Sequence, residues 1–206
     1  MNKTKFFIYS ILFLLSFSYA QTKAITSDGK SVLLNKDKTW KYVEEKETSF
    51  EGMGIWKIKY FVDDFGDPTD EGYVVSEALE GKFSNSATTD SQLLAFFIID
   101  DSDITLKLFE YGSQMVKGSI SRITCYTSIK HNGVKLDGYL VANNYQDRFV
   151  FNYEGKEALM KMFKEGGSLA FVMDEVSDYG SSRYSFKIKN TDGFSNAYKT
   201  LFPSTD

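Results

Sequence analysis

The chain has 206 residues, with 24 Lys and Arg against 28 Asp and Glu for a net charge of −4, and it carries one His, one Cys and two Pro. A single Cys excludes an intramolecular disulfide, and one His with one Cys falls short of the ligand sets that zinc sites usually use. The acidic balance, with basic residues dispersed as at Lys57/Lys59 and Lys187/Lys189, excludes the clustered Lys and Arg that neutralise phosphates, so no nucleic-acid partner is expected.

Residues 1–20 have the order of a secretory signal peptide. Lys3 and Lys5 are followed by an apolar run from Phe6 to Phe17, and Ser18-Tyr19-Ala20 places small residues before a cut at Gln21. The run is shorter than the ~20 apolar residues of a spanning helix, and no second run of that length follows. No Cys follows the cut to carry a lipid. The expected product is periplasmic or secreted and does not span the membrane after cleavage.

Residues 21–43 read as a small three-stranded β-meander. Asp28-Gly29 is a hairpin signal between Ile25-Thr26 and Val32–Leu34, and Asn35 to Lys38 form a second polar turn before Thr39–Val43. So small a piece needs cover for Val32 and Trp40. Residues 44–52 follow as a charged linker.

From residue 53 to 206 the pattern alternates with period two. Trp56, Ile58, Tyr60 and Val62 share one face. So do Ile104, Leu106 and Leu108, then Phe149, Phe151 and Tyr153, and finally Tyr184, Phe186 and Ile188. Leu93–Ile99 and Leu169–Met173 are nearly continuous apolar runs, expected of central strands covered on both sides. The phase slip between Ile120 and Ile123 predicts a bulge near Ser121-Arg122. Asn132-Gly133 and Asp137-Gly138 signal hairpins, and Glu80-Gly81 a further loop. Two helices are predicted, one over Lys156–Glu165 stopped by Gly166-Gly167, the other carrying Phe194, Ala197, Tyr198 and Leu201 with Asp192 as its cap. Together these elements predict a mainly β protein, a β-sandwich with one or two short covering helices.

Catalytic constellations are sparse. His131 sits in a His-Asn-Gly turn and reads as a solvated tip, and Cys125 shares the phase of Ile123 and Ile129 and reads as a buried thiol. Neither forms a nucleophile–base couple, so no catalytic residue is assigned. The acidic loop holding Asp63, Asp64, Asp67, Asp70 and Glu71 is a candidate Ca²⁺ site, because hard cations take clustered carboxylates. It fails the helix–loop–helix calcium pattern, since Phe65 and Pro68 occupy positions where an acid or amide and a Gly are needed. Phe83–Ser91 is rich in hydroxyls and suits either a loop that bonds its own backbone or a recognition loop.

Two stretches carry a resemblance. Residues 24–43, with Asp28-Gly29-Lys30, Val32-Leu33-Leu34 and Thr39-Trp40-Lys41-Tyr42, resemble a segment behind the signal peptide of many exported bacterial proteins. Asp63–Gly72, Phe83–Ser91, Tyr184–Ile188 and Gly193-Phe194 with Ala197-Tyr198 resemble an exported sandwich-like family, similar to proteins of the invasion-associated locus B type and type VI secretion accessory proteins. The resemblance implies an exported β-sandwich and brings no catalytic residues. The expected function is a non-enzymatic binding or interaction module with loops 63–71 and 84–91, its partner an envelope protein or a glycan. The alternatives are a carboxylate-based glycan hydrolase and a structural or assembly component of an envelope complex.

Overall fold

The computed structural model describes residues 22–25, 31–34, 37–42, 52–116, 123–145, 147–177 and 180–203. They fall in two compact units, one comprising Met1–Glu45 with Val62–Thr69 and the other Lys46–Phe61 with Asp70–Asp206. The signal segment, the Asp28-Gly29 turn, all but residue 52 of the linker and the bulge expected at Ser121-Arg122 lie outside the described residues.

In the first unit, β1 (Thr22–Ile25), β2 (Ser31–Leu34) and β3 (Trp40–Tyr42) form the antiparallel meander, with Thr22 opposite Leu34 and Leu34 opposite Trp40. The Asp37 carboxylate accepts from the Thr39 N–H at 2.9 Å and holds the second turn. Val32 is buried, but Trp40 stays 53% exposed, so the cover expected for both reaches only one.

The second unit is mainly β. In chain order it holds β4 (Trp56–Val62), β5 (Pro68–Ser76), β6 (Leu79–Ser84), β7 (Ser91–Ile99), β8 (Ile104–Glu110), β9 (Gln114–Met115) and β10 (Ile123–His131). Then come β11 (Val134–Lys135), β12 (Leu140–Tyr145), β13 (Arg148–Phe151), helix α1 (Tyr153–Glu165), β14 (Leu169–Ser177), β15 (Gly180–Ile188) and helix α2 (Phe194–Leu201); the tip residues of β4 and β5 count with the first unit.

The sandwich expectation is overturned. Eight strands close on themselves in the order β6-β7-β8-β13-β12-β10-β14-β15, each antiparallel to its neighbours, and β15 returns to β6. The pairings of Phe186 with Gly81 and of Phe149 with Leu106 join what would be free edges in a sandwich. Closure leaves the eight-stranded ring itself no edge to protect, which is the physical gain of a barrel, while β4, β5, β9 and β11 pair outside it. It also corrects the reading of the continuous apolar runs. Leu93, Ala95, Phe97 and Ile99 point inward and are buried, while Leu94, Phe96 and Ile98 on the outer wall are only half-buried.

One strand of the ring takes three partners. β7 pairs with β8 along one side, and on the other it pairs first with β6 and then, at Ile98 and Ile99, with β5. Three residues, Ser76 to Ala78, face two on β7, so the chain bulges there. The buried Ser76 hydroxyl accepts from the Phe97 N–H at 3.0 Å, satisfying a donor near the bulge. Gly81, read from the sequence as part of a loop, lies inside β6 instead. A Cβ there would sit 2.3 Å from the Ser185 carbonyl oxygen, so only Gly lets β6 and β15 approach.

Aromatic side chains fill one end of the barrel. Phe97 meets Phe151, Phe171 and Phe186, and its contact with Phe163 at 5.2 Å docks α1 over that end. Asn152 stops β13 and starts α1, its side chain accepting from the Gly155 N–H. That is why Tyr153, expected to continue the strand, is a helical residue that is 72% exposed. Leu159, Met162 and Phe163 are the buried stripe, and Gly166 and Gly167 stop the helix at positive φ. Gly193 rather than Asp192 caps α2; the Asp192 carboxylate is turned to the Asn190 side chain and the Gly167 N–H.

Candidate functional site

The end of the barrel opposite α1 is built from the far termini of the same strands. Glu110 closes β8 on the face of Ile104, Leu106 and Leu108, and Glu175 follows Leu169, Phe171 and Met173 on the inward face of β14. Period-two alternation therefore delivers two carboxylates into a mostly apolar lumen. Tyr184 on β15 reaches both: its hydroxyl stands 3.3 Å from Glu110 Oε1 and 3.3 Å from Glu175 Oε2. A phenol has one proton, so it satisfies one carboxylate fully at a time. Burial, and then the neighbouring Glu175 charge, push the Glu110 carboxyl above the ordinary value, with the Tyr184 hydrogen bond pulling the other way. Burial and the Glu175 charge also push the Tyr184 phenol up, keeping it a donor.

Beside this trio lies a shallow, open depression of about 250 Å³, bounded by Asn85, Ser86 and Ala87 on one side and by Glu175 and Gly180–Ser182 on the other. The loop is rigid by its own bonds: Asn85 Oδ1 accepts from the Ala87 and Thr88 N–H groups, and Ser84 Oγ accepts from the Asp90 N–H. Tyr111, just past Glu110, has φ 52 and is 48% exposed, its ring edge-to-face with Phe83 at 5.0 Å.

Asp63, Asp64, Asp67, Asp70 and Glu71 are all exposed. Asp63 Oδ1 accepts from the Phe65 and Asp67 N–H groups at 2.8 and 2.9 Å, so it serves the turn itself. Asp70 and Glu71 are consecutive in β5 and point to opposite faces. Among the described residues no three His, Cys, Asp or Glu come together to hold a metal ion. Cys125 is fully buried opposite Glu175, and burial followed by that charge push its thiol up. His131 is not a solvated tip: Nε2 lies 2.8 Å from the Gly166 carbonyl oxygen, tying the end of α1 to the Asn132-Gly133 hairpin.

Glu110, Glu175 and Tyr184 were not singled out in the sequence, although a signal was there. An acid on the apolar phase of a strand marks a carboxylate that faces the core. That two such acids meet on one hydroxyl depends on pairing across the barrel. No family model, curated protein or solved structure matches the chain. Among the described residues no helix is long and apolar enough to cross a membrane.

Proposed function

We propose that the protein is an exported, non-enzymatic binding module that takes its ligand at the open end of the barrel. The observation that carries this reading is the pair of inward carboxylates on one tyrosine hydroxyl, beside a polar depression with a self-bonded loop for a wall. Two half-buried acids facing a barrel interior are costly, and their place at a rim suits recognition better than scaffolding. Export rests on the signal-like residues 1–20 and on the resemblance to exported bacterial proteins.

The same two acids prompt the rival reading, a glycan hydrolase. Glycosidases keep their carboxyls apart so that the scissile oxygen and a nucleophile or water fit between them. Here the Tyr184 hydroxyl, bonded to both, occupies that place. This favours binding over hydrolysis. The calcium reading of Asp63–Glu71 draws no support from a loop whose first carboxylate is spent on its own turn.

The test is a thermal-shift screen of soluble ligands against the wild type and Ser182→Trp, which fills the depression. A ligand of this site raises the wild-type midpoint by mass action and leaves the variant unmoved. Hydrolysis of glycan substrates by the wild type, lost in Glu110→Gln, would replace this reading with the hydrolase.

A further inference from the structure

We infer that the ligand of the open end is an uncharged saccharide, held by Tyr111 as the stacking face and by Glu175, Asn85 and Ser182 as hydrogen-bond partners. The inference rests on the barrel end being the binding site and adds the chemistry of what enters it.

The lining selects against other classes. Among the described residues no Lys or Arg borders the depression, and Glu175 does, so an anion meets repulsion without a counter-charge from them. Among the described lining residues, Ala87 and Gly180 alone lack polar side chains, so an apolar ligand would strand amide and hydroxyl groups. A neutral ligand rich in groups that both donate and accept fits the remaining polar walls, and an amine, which Glu175 also attracts, is the competing class that the experiment separates. Carboxylates only accept, whereas Ser hydroxyls and the Asn amide do both. An array of sugar hydroxyls donates to Glu175, exchanges bonds with Ser182 and accepts from the Asn85 side-chain N–H groups, the Asn85 Oδ1 being held by its own loop. About 250 Å³ lies below the range usual for drug-sized ligands, which suits one sugar unit with the rest of a chain leaving through the open side.

The second feature is Tyr111. A bulky aromatic at φ 52 is uncommon, and strain of this kind persists where the surroundings hold it. The Tyr111 N–H donates to the Gln92 carbonyl at 2.8 Å, and the ring rests against Phe83, which in turn packs on Tyr184. A half-exposed ring is thereby fixed next in the chain to Glu110; it is not one of the depression's walls, so it would meet the part of a sugar chain that leaves the depression. Aromatic rings with one wet side are well suited to the apolar C–H face of a pyranose, and since such a ring also attracts amines, the experiment carries an amine probe.

The full chain is applied to an array of neutral oligosaccharides, their uronic-acid or sialylated counterparts, and spermidine as an amine probe, with hits measured by calorimetry. Tyr111→Asn removes the ring and is at home at positive φ, so it keeps the fold, and circular dichroism melts verify this. A neutral oligosaccharide should bind, its acidic counterpart should bind about tenfold more weakly or worse, and Tyr111→Asn and Glu175→Gln should each lower affinity about tenfold or more. If spermidine binds, loses affinity in Glu175→Gln, and no neutral sugar binds, the site stands and the saccharide inference falls. If no probe binds, the saccharide inference falls as well. If a sugar binds and neither variant weakens it, both the site and the inference are wrong.

Discussion

Replacing Thr127 by Val should stabilise the protein. Thr127 lies on the inward face of β10 between Cys125 and Ile129, paired with Met173 and Leu140, and is fully buried. Its Oγ1 is the one buried side-chain polar atom among the described residues with no hydrogen-bond partner. An unpaired buried hydroxyl costs about 1–3 kcal/mol in mutational series. Val has nearly the same shape, so the exchange opens no cavity and forces no repacking. The expected gain is about 1–2 kcal/mol, or roughly 2–4 °C in Tm for each kcal/mol in a domain of this size. Urea unfolding should show a higher midpoint with an unchanged slope, because neither the surface exposed on unfolding nor the compactness of the native state alters. Thr127→Ser is the control: it keeps the unpaired hydroxyl, loses a methyl, and should be destabilised. A loss of stability in Thr127→Val would refute the reasoning, since it would mean that the hydroxyl holds a partner inside the barrel.

Glu110→Gln should remove a pH dependence. The raised folded-state value means that ionised Glu110 lowers stability, and that this cost is relieved as pH falls through the raised value and is gone below the ordinary 4.5. Glu110→Gln should therefore be the more stable protein at neutral pH, with the two melting midpoints converging in acid; a constant or reversed gap would contradict this. Gly81→Ala should cost on the order of 3 kcal/mol or more, because its Cβ would meet the Ser185 carbonyl at 2.3 Å and push apart the two strands that close the barrel; a melt within 1 °C of the wild type would overturn that account. His131→Ala should cost about 1 kcal/mol in chemical denaturation by removing the partner of the Gly166 carbonyl, and unchanged stability would show that water replaces it. Asp63→Ala should lower stability by about 1 kcal/mol with or without added Ca²⁺, because two backbone N–H groups lose their acceptor; a wild-type midpoint that rises with Ca²⁺ beyond the effect of matched ionic strength would restore the metal reading of the loop.

The alternation of Ile104, Leu106 and Leu108, or of Tyr184, Phe186 and Ile188, was legible because a strand's side chains switch faces at every residue whatever the strand pairs with. Helix α1 was legible for a similar reason, since the spacing of Leu159, Met162 and Phe163 and the stop at Gly166-Gly167 are local. Closure was not. Whether two sheets stay apart or join depends on β6 finding β15 and β8 finding β13, and the residues in those pairs are separated by scores of positions with no mark in the local pattern. Gly81 shows the same limit: its neighbour Glu80 made it look like a turn, and only the approach of Ser185 from the other end of the chain explains why it carries no side chain. The inward phase of Glu110 and Glu175 could be read from their strands one at a time. Their meeting on the Tyr184 hydroxyl could not, because it is made by three strands whose order around the barrel is a tertiary fact.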